Sequence, residues 1–289
     1  MKSVSLINAA ARPGTDTAAR AAVSLTPAPR WDPRLYQIAT LAGLLGYGVF
    51  WLDLEVQTRT AVAIIVTALV TQLVCTRLTG RGRFDPRSAL ISALSLCLLL
   101  RTGSLGLAIL AAGVAIASKF TLRVRDKHLF NPTNFALVAM MLATGQVWVS
   151  PGQWGSGLVF AFLLASAGGL VVNRAARADV TLAFLASWAS LLVARSLWLG
   201  EPLAIPLHRL ENGALVLFAF FMISDPRTTP DSRAGRLLFA ALVALAAYAV
   251  QFTLFRTNGL LWSLAVCSLI VPLIDWLLPG RRYQWRSSP

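Results

Sequence analysis

Long apolar runs, broken by short polar stretches that carry arginine, constrain this chain more than any other feature. A helix needs about 20 predominantly apolar residues to cross the hydrocarbon core of a bilayer. Such runs are predicted near residues 36–52, 60–76, 88–100, 104–122, 133–149, 157–173, 180–199, 212–224, 237–254 and 259–278. They are apolar all round, so length and flanking charge decide them rather than periodicity. The 289-residue chain is 56% hydrophobic and 13% charged, too little polar surface to cover a soluble fold. The predicted fold class is an all-α polytopic membrane protein of ten transmembrane helices, with the lipid bilayer as its first partner.

Lysine and arginine are retained on the cytoplasmic side of membrane helices. The N-terminal segment, the even-numbered loops and the C-terminus hold 21 of the 26 basic residues; the odd loops hold only Arg59, Arg101, Arg195, Arg209 and Arg256. This alternation predicts a multi-pass protein of the inner (plasma) membrane with both termini cytoplasmic. The net charge of +14 does not indicate nucleic acid, because the basic residues lie between apolar blocks rather than in one stripe. Residues 1–33 are expected to be a disordered cytoplasmic tail and 281–289 a short C-terminal tail. The N-terminal segment lacks the apolar core and cleavage site of a signal peptide. Cys75, Cys97 and Cys267 lie in or beside the runs and form no C-x-x-C pair, against a disulfide framework or a cysteine-held cluster. His128 and His208 fall on opposite sides of this topology, so no paired metal or haem site is expected. Asp275, near the cytoplasmic end of the tenth run, is expected to reach the interface or Arg281. There is no phosphate-binding glycine loop, H-E-x-x-H or nucleophile elbow, and no self-contained catalytic residue is assigned.

The third and eighth runs are unusually short, and they start 124 residues apart (88 and 212). Asn134 and Asn258, which lead into the fifth and tenth runs, are 124 apart as well. Two five-helix halves, 34–150 and 151–280, are therefore predicted; because five is odd, the second is inverted. Paired short spans in inverted halves point to a central binding site. The same architecture keeps open an alternative function, a transporter or channel for a small solute.

Three polar stretches carry chemistry. The first is Lys127-His128-Leu129-Phe130-Asn131-Pro132-Thr133-Asn134-Phe135, entering the fifth run. Asn131 and Asn134 share a helix face, and carboxamides both donate and accept, which suits the edge of a planar ligand such as a flavin. The competing reading makes Asn131 an N-cap and Pro132 the first helical residue; it leaves Asn134 unexplained. The second is Phe221-Met222-Ile223-Ser224-Asp225-Pro226-Arg227-Thr228-Thr229-Pro230, closing the short eighth run. Asp225 either lines a polar vestibule, with the Thr228 and Thr229 hydroxyls nearby, or stops the helix and pairs with Arg227. The third, Asp85-Pro86-Arg87, repeats the tripeptide of Asp32-Pro33-Arg34 and Asp225-Pro226-Arg227. It reads as punctuation of helices at the cytoplasmic face.

Residues 127–137 and 221–230 together resemble the NqrB/RnfD family, membrane subunits of the sodium-pumping NADH:quinone oxidoreductase and of the Rnf complex. The similarity covers roughly residues 30–280. The resemblance implies ten helices in two inverted halves, flavin-dependent electron transfer, and other redox subunits, membrane or cytoplasmic, as partners. It places non-covalent riboflavin, or FMN, near the asparagines of the fifth helix, here Asn131 and Asn134 with Thr133 between them. Asp225 and Thr228 of the second motif then line or shape the pocket. The family's S-G-A-T motif, whose threonine carries a covalent FMN, has no counterpart; the outward loop at 150–156 has no threonine. Covalent FMN is therefore not expected.

Overall fold

The computed structural model describes residues 32–51, 56–80, 84–149, 169 and 177–283. The N-terminal segment to Trp31, the predicted sixth span at 157–173 and the loop at 150–156 lie outside these, apart from Gly169. The described part is mostly helical. Four helices lead: α1 (Pro33–Trp51), α2 (Thr58–Thr79), α3 (Pro86–Leu99) and α4 (Leu105–Thr121). A two-stranded antiparallel hairpin, β1 (Arg123–Val124) and β2 (Lys127–His128), precedes α5 (Pro132–Thr144). Then come α6 (Ala178–Leu199), a short α7 (Ala204–Leu210), and α8 (Gly213–Leu217), which runs on as a π-helical segment, Phe218–Met222. The last are α9 (Arg233–Tyr248), extended by a π-helical Ala249–Thr253, then α10 (Gly259–Ser268) and α11 (Val271–Leu277).

By length and composition, α2, α6 and α9 with its extension can cross a membrane; α10 and α11, bent by 50°, make a fourth span if taken as one. α3, α4, α5 and the α8 helix are apolar but shorter. The 14 residues of α3 span about 21 Å at 1.5 Å each, less than the roughly 30 Å hydrocarbon core.

Two departures from the predicted spans have local causes. The fifth run extends to 149 by composition, but α5 stops at Thr144 because Gly145 takes a left-handed φ of 61°, a conformation glycine adopts without steric cost. The tenth run reads as one span, but Pro272 sits in the first turn of α11, where it cannot donate to the preceding turn. The hairpin and α7 have no counterpart among the predicted spans. Arg125 and Asp126 at the hairpin tip both have positive φ, 50° and 64°, as a two-residue type I′ turn requires.

Packing orders these helices around a core of small and branched side chains. α2 packs along α4 and α6 along α9; α1 meets α3, α4 meets α5, and α5 touches α10. On α2 the buried face reads Ile64, Ala68, Gln72, Thr76 at four-residue spacing, so it turns from apolar to polar toward its C-terminus. α9 and α10 approach closely at Gly259, where a Cβ would stand 2.9 Å from the Ala247 carbonyl oxygen. Gly259→Ala is expected to cost about 1–3 kcal/mol through overpacking. Thermal unfolding in detergent checks this; an unchanged midpoint would mean the two helices separate freely.

Candidate functional site

The two sequence motifs converge. A cavity of about 250 Å³ is lined by Asn131, Pro132 and Thr133 from the start of α5, and by Phe221, Ser224, Asp225, Pro226 and Arg227 from the end of the α8 helix. α1, α2, α3, α4 and the hairpin complete its wall with Arg34, Gln72, Asp85, Ser88, Lys119 and His128, among others. A larger cavity of about 620 Å³ is lined by Arg195, Arg209, Asn212, Phe252, Arg256 and Asn258, among others. Both motifs and several buried polar groups meet at the smaller one.

Asn131 caps its helix: its Oδ1 accepts the Asn134 N–H at 3.1 Å. Its Nδ2 donates to the Met222 carbonyl at 3.4 Å and, at 3.5 Å, to Asp225 Oδ2. One side chain thus ties α5 to the end of the α8 helix, where orphan carbonyls need donors. Asn134 is fully buried and does not line the cavity. Its Nδ2 donates to the Leu261 carbonyl of α10 at 3.2 Å, while its Oδ1 is buried without a hydrogen-bond partner. Thr133 lines the cavity and contacts the Ser92 carbonyl at 3.5 Å. Thr228 lies outside, its hydroxyl on the Asp225 carbonyl at 3.3 Å. The structure therefore gathers Asn131, Thr133 and Asp225 at one wall and sets Asn134 and Thr228 behind it.

The three Asp-Pro-Arg motifs share one local geometry. Each aspartate accepts the backbone N–H two residues on: Asp32 from Arg34 at 2.9 Å, Asp85 from Arg87 at 3.2 Å, Asp225 from Arg227 at 2.9 Å. The first two then exchange partners. Arg34 pairs with Asp85 as well as Asp32, and Arg87 pairs with Asp32 at 2.6 Å. Burial raises the Asp32 pKa, but hydrogen bonds from Arg34 outweigh it, so its carboxyl lies below the usual range. The punctuation reading holds locally but is incomplete, because Arg34, Asp85, Asp225 and Arg227 also line the cavity.

Lys119 is the residue that sequence reasoning missed most clearly. It is only 5% exposed, and its Nζ donates to the Ser88 carbonyl at 2.8 Å and the Ser88 hydroxyl at 3.2 Å. Together with Arg34, Arg123 and Arg227 it sets four basic side chains against the acids Asp85 and Asp225 in the lining. Asp225 has its pKa raised by burial, opposed by the Arg227 N–H and by the charges of Arg227, Lys119 and Arg177. His128 is driven the other way. Burial, reinforced by Arg227, Arg123 and Lys119, lowers its pKa to about 3, against a weaker backbone hydrogen bond to Lys119.

A pH dependence follows. The unfolded chain binds a proton on His128 below pH 6.5, while the folded chain does not until about 3. Stability from this site is full above pH 6.5 and falls as pH drops through that window. His128→Leu should flatten this part of the profile. Unfolding midpoints at pH 5 and pH 8 check it; an equal decline in both proteins would refute it.

Comparison with known proteins bears on the same region. The model of the NQR2, RnfD, RnfE family matches residues 127–284. Over 141 residues the chain is 33% identical to an ion-translocating oxidoreductase complex subunit of Escherichia coli (strain K12), covering 49% of this chain and 36% of that protein. Against the equivalent protein of Escherichia coli O1:K1 / APEC it is 35% identical over 143 residues, covering 49% and 36%. Against that of Shigella boydii serotype 18 it is 33% identical over 136 residues, covering 46% and 39%. The matches thus span well under half the length of these relatives. The family match covers more than half of the chain and takes in both motifs, Asn131 to Asn134 and Asp225 to Thr228. This chain is a membrane-embedded helical protein that belongs to the NQR2, RnfD, RnfE family.

Proposed function

We propose that this protein is a flavin-binding membrane subunit of electron transport, with non-covalent riboflavin or FMN in the 250 Å³ cavity. The observation that carries the reading is the convergence of both family motifs on one basic, partly enclosed cavity, although Asn131 and Asp225 stand 94 residues apart in sequence. The residues present fit such a ring. Arg34 and Arg227 offer positive charge and, with Lys119, donors to ring carbonyls, and buried polar atoms without partners remain at Gln72 and His128. The cavity is small for a ligand site, so a ribityl chain would leave through its mouth. When bound, the flavin supplies the redox chemistry; the protein supplies position, water exclusion and charge. Relatives are subunits of an ion-translocating oxidoreductase complex; redox subunits that deliver and remove electrons are accordingly its partners.

The finer architecture belongs to the same proposal: ten spans in two inverted halves, in the inner membrane, with cytoplasmic termini. Several observations support it. α8 begins 127 residues after α3 (213 against 86), and α10 begins 127 after α5 (259 against 132). The N-caps Asp85 and Asn131 line the smaller cavity, and the N-caps Asn212 and Asn258 line the larger. In each half the second helix packs along the fourth, α2 on α4 and α6 on α9.

The first test is the absorbance spectrum of the detergent-purified protein, followed by acid precipitation. Flavin bands that pass into the supernatant are the expected result. A colourless, well-folded protein that takes up no added flavin would overturn the reading and bring small-solute transport forward.

A further inference from the structure

We propose that Gln72 and His128 are the residues that read the ligand of the cavity: Gln72 accepts the imide N–H of a flavin ring, and His128 accepts a ribityl hydroxyl. The proposal rests on the cavity being a flavin site. Its starting point is an imbalance in the lining. Lys119 is engaged by Ser88, Asn131 by its own helix and Met222, and Asp225 by the Arg227 N–H. Two buried lining atoms able to accept a hydrogen bond stand outside this web. Gln72 Oε1 and His128 Nδ1 have no hydrogen-bond partner. Gln72 is 7% exposed, and a buried acceptor left unsatisfied is costly unless a ligand or water fills it.

The chemistry of both atoms is the same. A glutamine Oε1 only accepts. His128, its pKa lowered to about 3 by burial and by its basic neighbours, is neutral at physiological pH, so one ring nitrogen donates and the other accepts. Nδ1 is the buried ring nitrogen without a partner, and in the proposal it takes the accepting role, with the proton on Nε2. A ligand that satisfies the cavity therefore brings two donors, and its own acceptors meet the surrounding cations. An oxidised flavin has one ring N–H, set between two carbonyls, and hydroxyls along its ribityl chain. Depth assigns the pair. Gln72 stands about two turns inside the C-terminal end of α2, on that helix's buried face, where a flat ring belongs. His128 stands on the hairpin strand β2, outside the helices, where a polar chain belongs.

The experiment measures dissociation constants by fluorescence quenching on the full chain in detergent, with riboflavin, N3-methylriboflavin and lumiflavin as probes. Methylation of the imide nitrogen should weaken binding to the unaltered protein by about 10- to 100-fold. Gln72→Met should weaken riboflavin by a similar factor and weaken the methylated probe no further. His128→Leu should weaken riboflavin but leave lumiflavin, which has no ribityl hydroxyls, unchanged. The methylated probe needs no variant, so the test survives any failure of the variants to fold. Equal binding of riboflavin and N3-methylriboflavin by the unaltered protein overturns the assignment and leaves the flavin reading standing. No binding of riboflavin by the unaltered protein overturns both.

Discussion

Lys127→Met is expected to destabilise the folded protein by about 3–5 kcal/mol, because it strips the cation from a buried cluster. Lys127 Nζ lies 3.1 Å from Asp231 Oδ1 and 2.7 Å from Asp275 Oδ2, with all three side chains 15% exposed or less. The Asp231 N–H also donates to Asp275 Oδ1 at 2.8 Å. The cluster joins the hairpin before α5 to the turn before α9 and to α11, so segments far apart in sequence depend on it. Removing the lysine leaves two carboxylates facing each other in a poorly solvated place. For a chain of this size the loss corresponds to a fall in unfolding midpoint of roughly 10 °C. The cause is separable from lost packing. Lys127→Met combined with Asp231→Asn and Asp275→Asn should recover much of the midpoint, since no uncompensated charge then remains. A single variant as stable as the unaltered protein, or a triple variant no better than the single, would show that the cluster does not act this way.

The same cluster shows what is legible in the sequence and what is not. Its position points Asp275 to the interface or Arg281; it is instead held by Lys127, 148 positions away. Nothing local to either residue announces that pairing. The apolar runs are legible because burial in lipid is written into length and composition, and helix starts at Pro86, Pro132 and Gly213 fall within two residues of expectation. The end of α5 at Gly145 and the break at Pro272 carry standard signals in the sequence. The π-helical segments Phe218–Met222 and Ala249–Thr253 do not, because a widened turn is decided by what packs against it. In the site, Asn131 and Asp225 stand out because proline beside them fixes a turn. Lys119 does not. A lysine closing an apolar helix reads as an interface anchor, and only the packing of α3 over α4 shows it buried against Ser88. Gln72 is hidden for the same reason: its meaning lies in an acceptor that no helix neighbour fills.

Asn131 should prove the most sensitive position for ligand retention, and its two functions can be separated. Its Oδ1 caps α5 and its Nδ2 bridges to Met222 and Asp225. Asn131→Asp keeps the cap, since carboxylate and carboxamide serve equally there. It removes the donor and sets a second acid beside Asp225, which repels it and draws a proton or a cation into the wall. Asn131→Ala removes the cap as well, at about 1 kcal/mol of helix stability. If the cavity holds flavin, both variants should lose at least about tenfold in flavin affinity; the alanine variant should lose the stability of the cap at any pH, whereas the aspartate variant should lose stability only at a pH where the facing acids are both ionised. The comparison is made on flavin-free protein for stability and by flavin titration for affinity. Retention of flavin by Asn131→Asp at the unaltered affinity would reduce Asn131 to a helix cap. Joint loss of stability and affinity in both variants, unrelieved for Asn131→Asp at low pH, would mean that the bridge to Met222, rather than contact with the ring, is what the side chain provides. The Asn131→Asp arm is the informative one, because a capped helix facing an altered cavity separates the shape of the wall from its chemistry.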